Sequence, residues 1–258
     1  MNTVEKIKKL KEEKKAIILA HYYVDEEVQK IADYIGDSFY LAKVASQTEA
    51  DRIVFAGVEF MGESAKILNP NKKVLMPDTF ADCPMAHMIT IKEIKEMREK
   101  YDDLAVVCYI NSTAEIKQYA DVCVTSSNAV KIVKALPQKN IFFIPDQNLG
   151  DFVRKQVPEK NVMTNYGHCP RHTNITLDKL NEAKQKYPEA KIAVHPECKR
   201  EIVEAADFVG STSAIIDYVV QTNAKDFIIG TVDGVFAKIK ELAPVSYTHL
   251  TLPTKLEV

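Results

Sequence analysis

Three polar residues, His21, Tyr109 and His195, each end a short apolar run of the sequence. In α/β units with parallel strands, ligands bind beyond the carboxyl ends of the strands, next to the N-termini of helices. Imidazole and phenol groups at such places can bind anions and transfer protons near neutral pH. These residue types therefore predict an acid–base site for a small anionic molecule.

A hydroxyl residue follows each of these positions at the same distance. Ser38, Ser126 and Thr212 each lie seventeen residues after a strand end, and Ser127 and Ser211 stand beside the last two. The sequence predicts that each hydroxyl opens a helix, whose free N–H groups suit a carboxylate or a phosphate. A single serine before a helix is usually only an N-cap. Three equivalent ones favour an anion site instead.

The elements that position these residues repeat three times. An Ala-Asp pair ends at Asp33, Asp121 and Asp207, twelve residues after each strand end, and a second apolar run closes 35 or 36 residues after the same point. The segment DEEVQKIADYI carries an apolar stripe at helical spacing. Alternating strands and helices predict an α/β protein of three similar Rossmann-like, three-layer units, with parallel sheets about a pseudo-threefold axis.

The repeat also predicts where the domains lie. We expect a first α/β unit with an N-terminal helix at 1–88, a second at 89–173 and an incomplete third at 174–244. Residues 245–258 read VSYTHLTLPTKLEV, where the first two units have the apolar strands KVLMPD and KNVMTN. We expect 245–258 to be a non-native tail, and a divergent C-terminus is the alternative.

The composition excludes several classes of protein. A net charge of −2 gives no electrostatic reason to expect nucleic acid or an anionic membrane as a partner. No apolar run approaches the roughly 20 residues that span a bilayer, and the N-terminus has no signal-peptide core. The sequence therefore predicts a cytoplasmic protein. In that reducing compartment its five cysteines are expected to be thiols or metal ligands.

Two of the cysteines occupy equivalent positions. Cys83 and Cys169 lie 86 residues apart, each in a loop with a proline that follows a short apolar strand. A lone cysteine is more often a small buried hydrophobe, but this pair is predicted at the same edge as the anion-binding residues. A third equivalent cysteine is expected near residue 255, where the sequence LPTKLEV has none. Cys198 is the nearest substitute, but it begins a helix and has no counterpart in the other copies.

Ten motifs together resemble the quinolinate synthase family. They are AHYY at 20–23, IADYIGDS at 31–38, FMGESAKILNP at 60–70, PDTFADCPMA at 77–86, YIN at 109–111, TSSNAV at 125–130, PDQNLG at 145–150, GHCPRH at 167–172, HPEC at 195–198 and GST at 210–212. The resemblance runs from about Ile17 to Leu242 and is highly specific as a set.

The resemblance implies three α/β units around a central site and a [4Fe–4S] cluster held by one cysteine from each unit. The fourth iron is left open as a Lewis acid. The implied reaction condenses iminoaspartate with dihydroxyacetone phosphate, with loss of phosphate and two waters, to give quinolinate for NAD biosynthesis. A functional link to L-aspartate oxidase or aspartate dehydrogenase is implied as well.

The resemblance also implies individual roles. Cys83 and Cys169 would be the cluster ligands. Tyr23, Tyr109, His195 and Glu197 would be catalytic, with Glu197 near the open iron. The substrate site would be lined by His21, Tyr23, Ser38, Tyr109, Asn111, Ser126, His172, His195, Glu197, Ser211 and Thr212.

Two alternatives stay open at this point. A radical iron–sulfur enzyme of the diphthamide-synthesis type also uses one cysteine per unit, but the segments HYY, TSSNAV and HPEC argue against it. The other alternative is a non-catalytic shell that binds a dicarboxylate. It follows from the missing third cysteine, because two thiolates hold a [4Fe–4S] cluster poorly. Membership of the family and activity of this chain are therefore separate questions.

Overall fold

Three four-stranded sheets, each with all its strands parallel, form the framework of the chain. The computed structural model describes residues 2–243 and the backbone of residues 247–249. The chain divides into two compact units, Met1–Cys83 with one sheet and Pro84–Val258 with two. The predicted α/β class with parallel sheets is confirmed. The boundaries at 88, 173 and 244 stay predictions, as does the pseudo-threefold axis.

The first unit contains the strands β1 (Ala16–His21), β2 (Tyr34–Gly36), β3 (Arg52–Ala56) and β4 (Lys73–Leu75). Its helices are α1 (Thr3–Glu13), α2 (Glu26–Gln29), α3 (Ser38–Gln47) and α4 (Glu59–Leu68). The sheet order is β2–β1–β3–β4. Leu19 and Ala20 in β1 are fully buried, as expected of a parallel strand that is covered on both faces.

The second unit begins with a 3₁₀ turn at Pro84–His87 and then builds its first sheet. The strands are β5 (Leu104–Tyr109), β6 (Val122–Val124), β7 (Asn140–Ile144) and β8 (Asn161–Thr164), in the order β6–β5–β7–β8. The helices up to the next sheet are α5 (Ile91–Lys100), α6 (Ala114–Lys117), α7 (Ala129–Ala135), α8 (Gln147–Gln156), α9 (Pro170–Thr173) and α10 (Leu177–Lys186). Every residue of β5 is buried, and Ile94 of α5 and Ile116 of α6 pack in the same core cluster.

The third sheet repeats the same order, β10–β9–β11–β12. Its strands are β9 (Lys191–Val194), β10 (Phe208–Val209), β11 (Asp226–Gly230) and β12 (Tyr247–His249), and its helices are α11 (Arg200–Glu204), α12 (Thr212–Gln221) and α13 (Val235–Leu242). The backbone of β12 pairs in parallel with β11, the place that β4 and β8 take in their sheets. The rest of the tail predicted at 245–258 lies outside the described residues.

The repeated aspartate has the same structural role in all three sheets. Its carboxylate accepts a hydrogen bond from a backbone N–H of the sheet's first strand, and its own N–H donates to the carbonyl of that same residue. The pairs are Asp33–Ile18, Asp121–Val106 and Asp207–Ile192, at 2.8, 2.7 and 2.8 Å to the carboxylate and 2.9 Å in the other direction. A cation also lies against each carboxylate, namely Lys11, Arg98 and Lys191. We call this arrangement the aspartate clamp.

Two local predictions are wrong. The helical stripe predicted through Ile35 ends with α2 at Gln29, because residues 34–36 pair with β1 as a strand. The cap of α3 is Asp37, whose carboxylate accepts the N–H of Tyr40 at 2.9 Å, and Ser38 is only the first helical residue. A carboxylate is the stronger acceptor at a helix N-terminus.

The other hydroxyls also differ from each other. Ser126 and Ser127 precede α7 in a turn that ends at Asn128, so neither opens the helix. Ser211 does cap α12, by accepting the N–H of Ala214 at 3.3 Å. Among the described residues, no helix has the length and apolar character needed to cross a membrane.

Candidate metal centre and active site

A buried group of three potential metal ligands lies in the second unit. Cys169 precedes α9, His172 lies within α9, and Glu197 follows β9. All three side chains are buried, and their ligand atoms lie within 4.8 Å of one another. The loop that the sequence singled out for Cys169 thus brings a thiol, an imidazole and a carboxylate together.

The short distances in this group are compatible with a cation site. Nδ1 of His172 lies 3.1 Å from Sγ of Cys169 and 2.7 Å from Oε2 of Glu197. Oε2 is buried, and a buried carboxylate oxygen is costly to leave without a partner. Thiolate, imidazole and carboxylate groups are the ligands that transition metals such as iron and zinc prefer. The group is therefore suited to a metal.

Burial and the neighbouring charges shift the pKa values of Cys169 and Glu197 in opposite directions. Burial first, and then the negative charge of Glu197, raise the pKa of the Cys169 thiol well above its usual range. Burial also tends to raise the pKa of Glu197, but the charges of His195 and His172 and hydrogen bonds from His172 and Tyr109 outweigh it, so that this pKa is lowered. Glu197 is accordingly a carboxylate. A bound cation would favour the thiolate of Cys169 as well.

Asp146 holds the backbone of Cys169 in place. It follows β7, is fully buried, and accepts the N–H of Cys169 at 2.9 Å through Oδ2. Oδ1 accepts the N–H of Leu149 at 2.7 Å and thereby caps α8. Burial, and secondly the charge of Glu197, raise the pKa of Asp146 well above its usual range. One carboxyl group thus links a helix start to a candidate ligand.

Two further residues orient the candidate ligands. Oγ1 of Thr231 lies 3.1 Å from Nε2 of His172, and the side-chain amide of Asn148 donates to the Glu197 carbonyl at 3.0 Å. Sequence reasoning assigned no role to Thr231, Asn148 or Asp146. The signal that could have found Thr231 and Asp146 is the one that found His195, a polar residue just beyond the end of a parallel strand.

His195 lies beside the metal-ligand group, just beyond the end of β9. Its ring stacks on that of His172, with centroids 4.7 Å apart and planes inclined by 23°. The backbone nitrogen of Glu197 lies 3.3 Å from Nδ1 of His195, and Nε2 of His195 lies 3.3 Å from Oγ of Ser126. Tyr109 also forms a hydrogen bond with Glu197, so its phenol belongs to the same group of side chains.

The structure thus brings six of the predicted residues into one connected group: Tyr109, Ser126, Cys169, His172, His195 and Glu197. Asn111, Ser211 and Thr212 lie in the same unit, just beyond or near strand ends, but outside this chain of contacts. Oδ1 of Asn111 is buried and has no hydrogen-bond partner among the residues that the structure describes. This free acceptor suits a ligand that donates a hydrogen bond.

The first unit carries the remaining predicted residues. His21 is buried at the end of β1, and its ring centroid lies 4.3 Å from that of Tyr23. Ser38 is the first residue of α3. Cys83 is partly exposed, and its N–H donates to Oδ1 of Asp82 at 2.7 Å.

Cys198 is buried and is not one of the three members of the metal-ligand group. Its buried thiol lies 3.5 Å from the carbonyl of Gly230 and packs in a core cluster with Ile175 and Ile202. Burial, followed by the charge of Glu197, raises its pKa. Cys198 is therefore packed as a core residue.

Comparison with known proteins gives a consistent result. The model of the family described as quinolinate synthetase A protein matches residues 5–256. A quinolinate synthase from Fusobacterium nucleatum is 61% identical over 240 residues, which cover 93% of this chain and 80% of that protein. One from Caldicellulosiruptor saccharolyticus is 53% identical over 254 residues, covering 97% and 84%. One from Aquifex aeolicus is 52% identical over 240 residues, covering 93% and 74%.

These matches span nearly the whole chain and include the loops that carry Cys169, His172 and Glu197. Neither alternative raised by the sequence is favoured by them. The chain belongs to the quinolinate synthetase A family.

Proposed function

We propose that this chain is a quinolinate synthase, which condenses iminoaspartate with dihydroxyacetone phosphate and releases phosphate and two waters. The observation that carries the proposal is the buried group of Cys169, His172 and Glu197, flanked by His195 and Tyr109. It combines metal-binding and proton-transferring side chains in a family whose curated relatives carry this name.

The proposed cofactor is a [4Fe–4S] cluster with Cys83 and Cys169 among its ligands. The thiol, imidazole and carboxylate donors around Cys169 support an iron site. When bound, a cluster with an open iron supplies a Lewis acid that makes a hydroxyl a better leaving group. Glu197 and His172 would lie next to the metal, with Asp146 and Thr231 holding Cys169 and His172 in orientation.

The remaining residues of the second unit would hold the substrates. Both substrates are anions, one a dicarboxylate and one a phosphate, and Ser211 begins a helix of ten residues whose first N–H groups suit such a charge. Asn111 offers a free acceptor to a substrate hydroxyl or imine N–H. Ser126 and Thr212 are the other proposed substrate contacts of this unit. In the first unit, His21, Tyr23 and Ser38 stay predicted substrate contacts.

Proton transfer would be the task of four side chains. His195 can move a proton between Nε2 and the substrate, because Nδ1 is occupied by the N–H of Glu197. Glu197 is a carboxylate and can accept a proton from a carbon or hydroxyl of the substrate, with Tyr109 as its hydrogen-bond donor. Tyr23 is the predicted acid–base or positioning group of the first unit.

The same proposal places the enzyme in the cytoplasm, with iminoaspartate supplied by L-aspartate oxidase or aspartate dehydrogenase. This substrate hydrolyses readily, so a neighbouring source would limit its loss. The reaction needs no nucleic acid or membrane.

The test is an anaerobic assay of the full chain after reconstitution with iron and sulfide. Iminoaspartate is formed in place from oxaloacetate and ammonium, dihydroxyacetone phosphate is added, and quinolinate is quantified by mass spectrometry. We expect quinolinate from the wild type and a loss of at least about tenfold for Glu197→Gln. Glu204→Gln is the matched control, because Glu204 lies in α11 with an exposed side chain whose carboxylate pairs with Lys155.

Equal activity of Glu197→Gln and the wild type would remove the assigned role of Glu197. No quinolinate from a chain whose iron content shows full loading would overturn the proposed reaction.

A further inference from the structure

We propose that Cys108 and Cys123 form a reversible intramolecular disulfide, with Cys123 as the thiol that reacts first. Neither residue belongs to the metal-ligand group, and neither was assigned a role by the sequence. The proposal concerns a modification site on the sheet that contains Tyr109.

The two cysteines are direct neighbours across two strands. Cys108 in β5 pairs in register with Cys123 in β6. Neighbouring strands lie about 4.8 Å apart, and residues in register on parallel strands project to the same face of the sheet. Disulfides join Cα atoms that are about 4.4–6.8 Å apart. The backbone therefore already has the separation that a disulfide needs.

The two thiols differ in access. Cys108 is fully buried in the core cluster that contains Ile94 and Ile116. Cys123 is exposed, because β6 is the edge strand of its sheet. A reagent in solution can therefore reach Cys123 but not Cys108. This asymmetry is typical of an attacking thiol with a protected resolving partner.

The electrostatics agree with this order. A hydrogen bond with Cys108 lowers the pKa of Cys123 to about 7, and the positive charge of Lys117 on α6 contributes in the same direction. The hydrogen bond with Cys123 and burial raise the pKa of Cys108. The thiolate is the nucleophile, so Cys123 can react at neutral pH. Cys108 reacts only afterwards, when Cys123 carries a mixed disulfide that Cys108 can attack.

The oxidant for this reaction is a low-molecular-weight organic disulfide, RSSR. The Cys123 thiolate attacks one sulfur of RSSR, so that a mixed disulfide forms and RS⁻ leaves. Cys108 then gives up its proton and attacks the Cys123 sulfur, which expels the second RS⁻. Two cysteine thiols lose two electrons and two protons, and RSSR becomes two RSH.

The cost to the surrounding structure is small. Sγ of Cys108 lies 3.4 Å from the carbonyl of Tyr109, and disulfide formation removes this contact. The same carbonyl keeps the hydroxyl of Ser112 as a donor at 2.9 Å. No buried acceptor is therefore left unsatisfied at Tyr109.

The test uses the full chain, purified reduced and anaerobic, and treated with oxidised glutathione. Free thiols are then blocked with N-ethylmaleimide and the digested protein is analysed by mass spectrometry. We expect a peptide pair joined through Cys108 and Cys123, which dithiothreitol separates. In Cys108→Ala we expect glutathione to stay attached to Cys123, because the resolving thiol is missing. In Cys123→Ser we expect Cys108 to stay unmodified.

Persistent glutathione on Cys123 of the wild type, or no modification of either cysteine, would overturn the proposal. If a variant fails to fold, the measurement on the wild type is sufficient to test the proposal. Circular dichroism of each variant identifies such a failure.

Discussion

Nδ1 of His172 lies 2.7 Å from Oε2 of Glu197, and both side chains are buried. The same nitrogen lies 3.1 Å from the sulfur of Cys169. Three potential ligand atoms therefore converge on one buried point, which is the geometry that a cation would satisfy. This relationship is the basis of the metal assignment.

The first prediction concerns the ligand role of Cys169. Cys169→Ser should lower the iron content after anaerobic reconstitution at least about tenfold, because a hydroxyl is a far weaker ligand than a thiolate. The measurement is iron per chain after gel filtration. Cys123→Ser is the control and should bind as much iron as the wild type. Equal loading of both variants would contradict the role of Cys169.

A second prediction follows from the number of cysteines available to the cluster. With Cys83 and Cys169 as thiolate ligands and no cysteine near residue 255, reconstitution should give fewer than one [4Fe–4S] cluster per chain. The visible absorbance of the cluster and the ratio of iron to sulfide measure its occupancy. One full cluster per chain would show that the missing cysteine is dispensable.

Asp146 gives a prediction that separates support from ligation. Asp146→Asn retains the size of the side chain, but its single carbonyl oxygen cannot accept both the Cys169 and the Leu149 N–H. One buried N–H is left unsatisfied, so the free energy of unfolding should fall by about 1–3 kcal/mol, and iron loading should fall with it.

The matched control for this variant is Asp37→Asn, because Asp37 also caps a helix but lies in the first unit. Asparagine and aspartate are nearly equivalent as N-caps. Denaturant unfolding should therefore show little change for the control. A loss in the control as large as that in Asp146→Asn would show that the effect arises from helix capping alone.

The aspartate clamp predicts a difference between two partners of one ion pair. Asp121→Ala removes the acceptor for the Val106 N–H and should lower the free energy of unfolding by about 1–3 kcal/mol. Arg98→Gln removes a half-exposed ion pair with the same carboxylate and an exposed hydrogen bond to the Tyr119 carbonyl, and should cost at most about 1 kcal/mol. Urea denaturation measures both, and equal losses would mean that the ion pair is the stabilising part.

The lowered pKa of Cys123 predicts a pH profile. The thiolate reacts with iodoacetamide, so the rate at Cys123 should rise with pH and reach half its maximum at about pH 7, where an ordinary thiol with a pKa of 9.0 is still protonated. Cys108→Ala and Lys117→Gln each remove a group that lowers this pKa. Both should shift the midpoint to higher pH, and an unchanged midpoint in both would contradict the assignment.

Much of the architecture could be predicted from the sequence. Buried parallel strands are recognisable as short apolar runs, and the internal repeat shows that these runs occur in three similar sets. His195 was predicted from its position at a strand end and Cys169 from its position in one of two equivalent loops. Both lie near Glu197, and their roles stay predictions. The short strand Tyr34–Gly36 was missed, because its pairing with β1 overrides a local helical pattern. Asp146 and Thr231 were not predicted as orienting residues. Their hydrogen bonds reach Cys169 and His172, which are far away in the sequence, so no local sequence pattern indicates them.

The aspartate clamp has a consequence for how the chain folds. Each clamp joins residues only fifteen positions apart, and short loops close with little loss of entropy and at high rate. Every sheet can therefore fix the register of its first two strands from its own segment of chain. The threefold repetition then makes folding a series of local steps, each begun before distant partners meet.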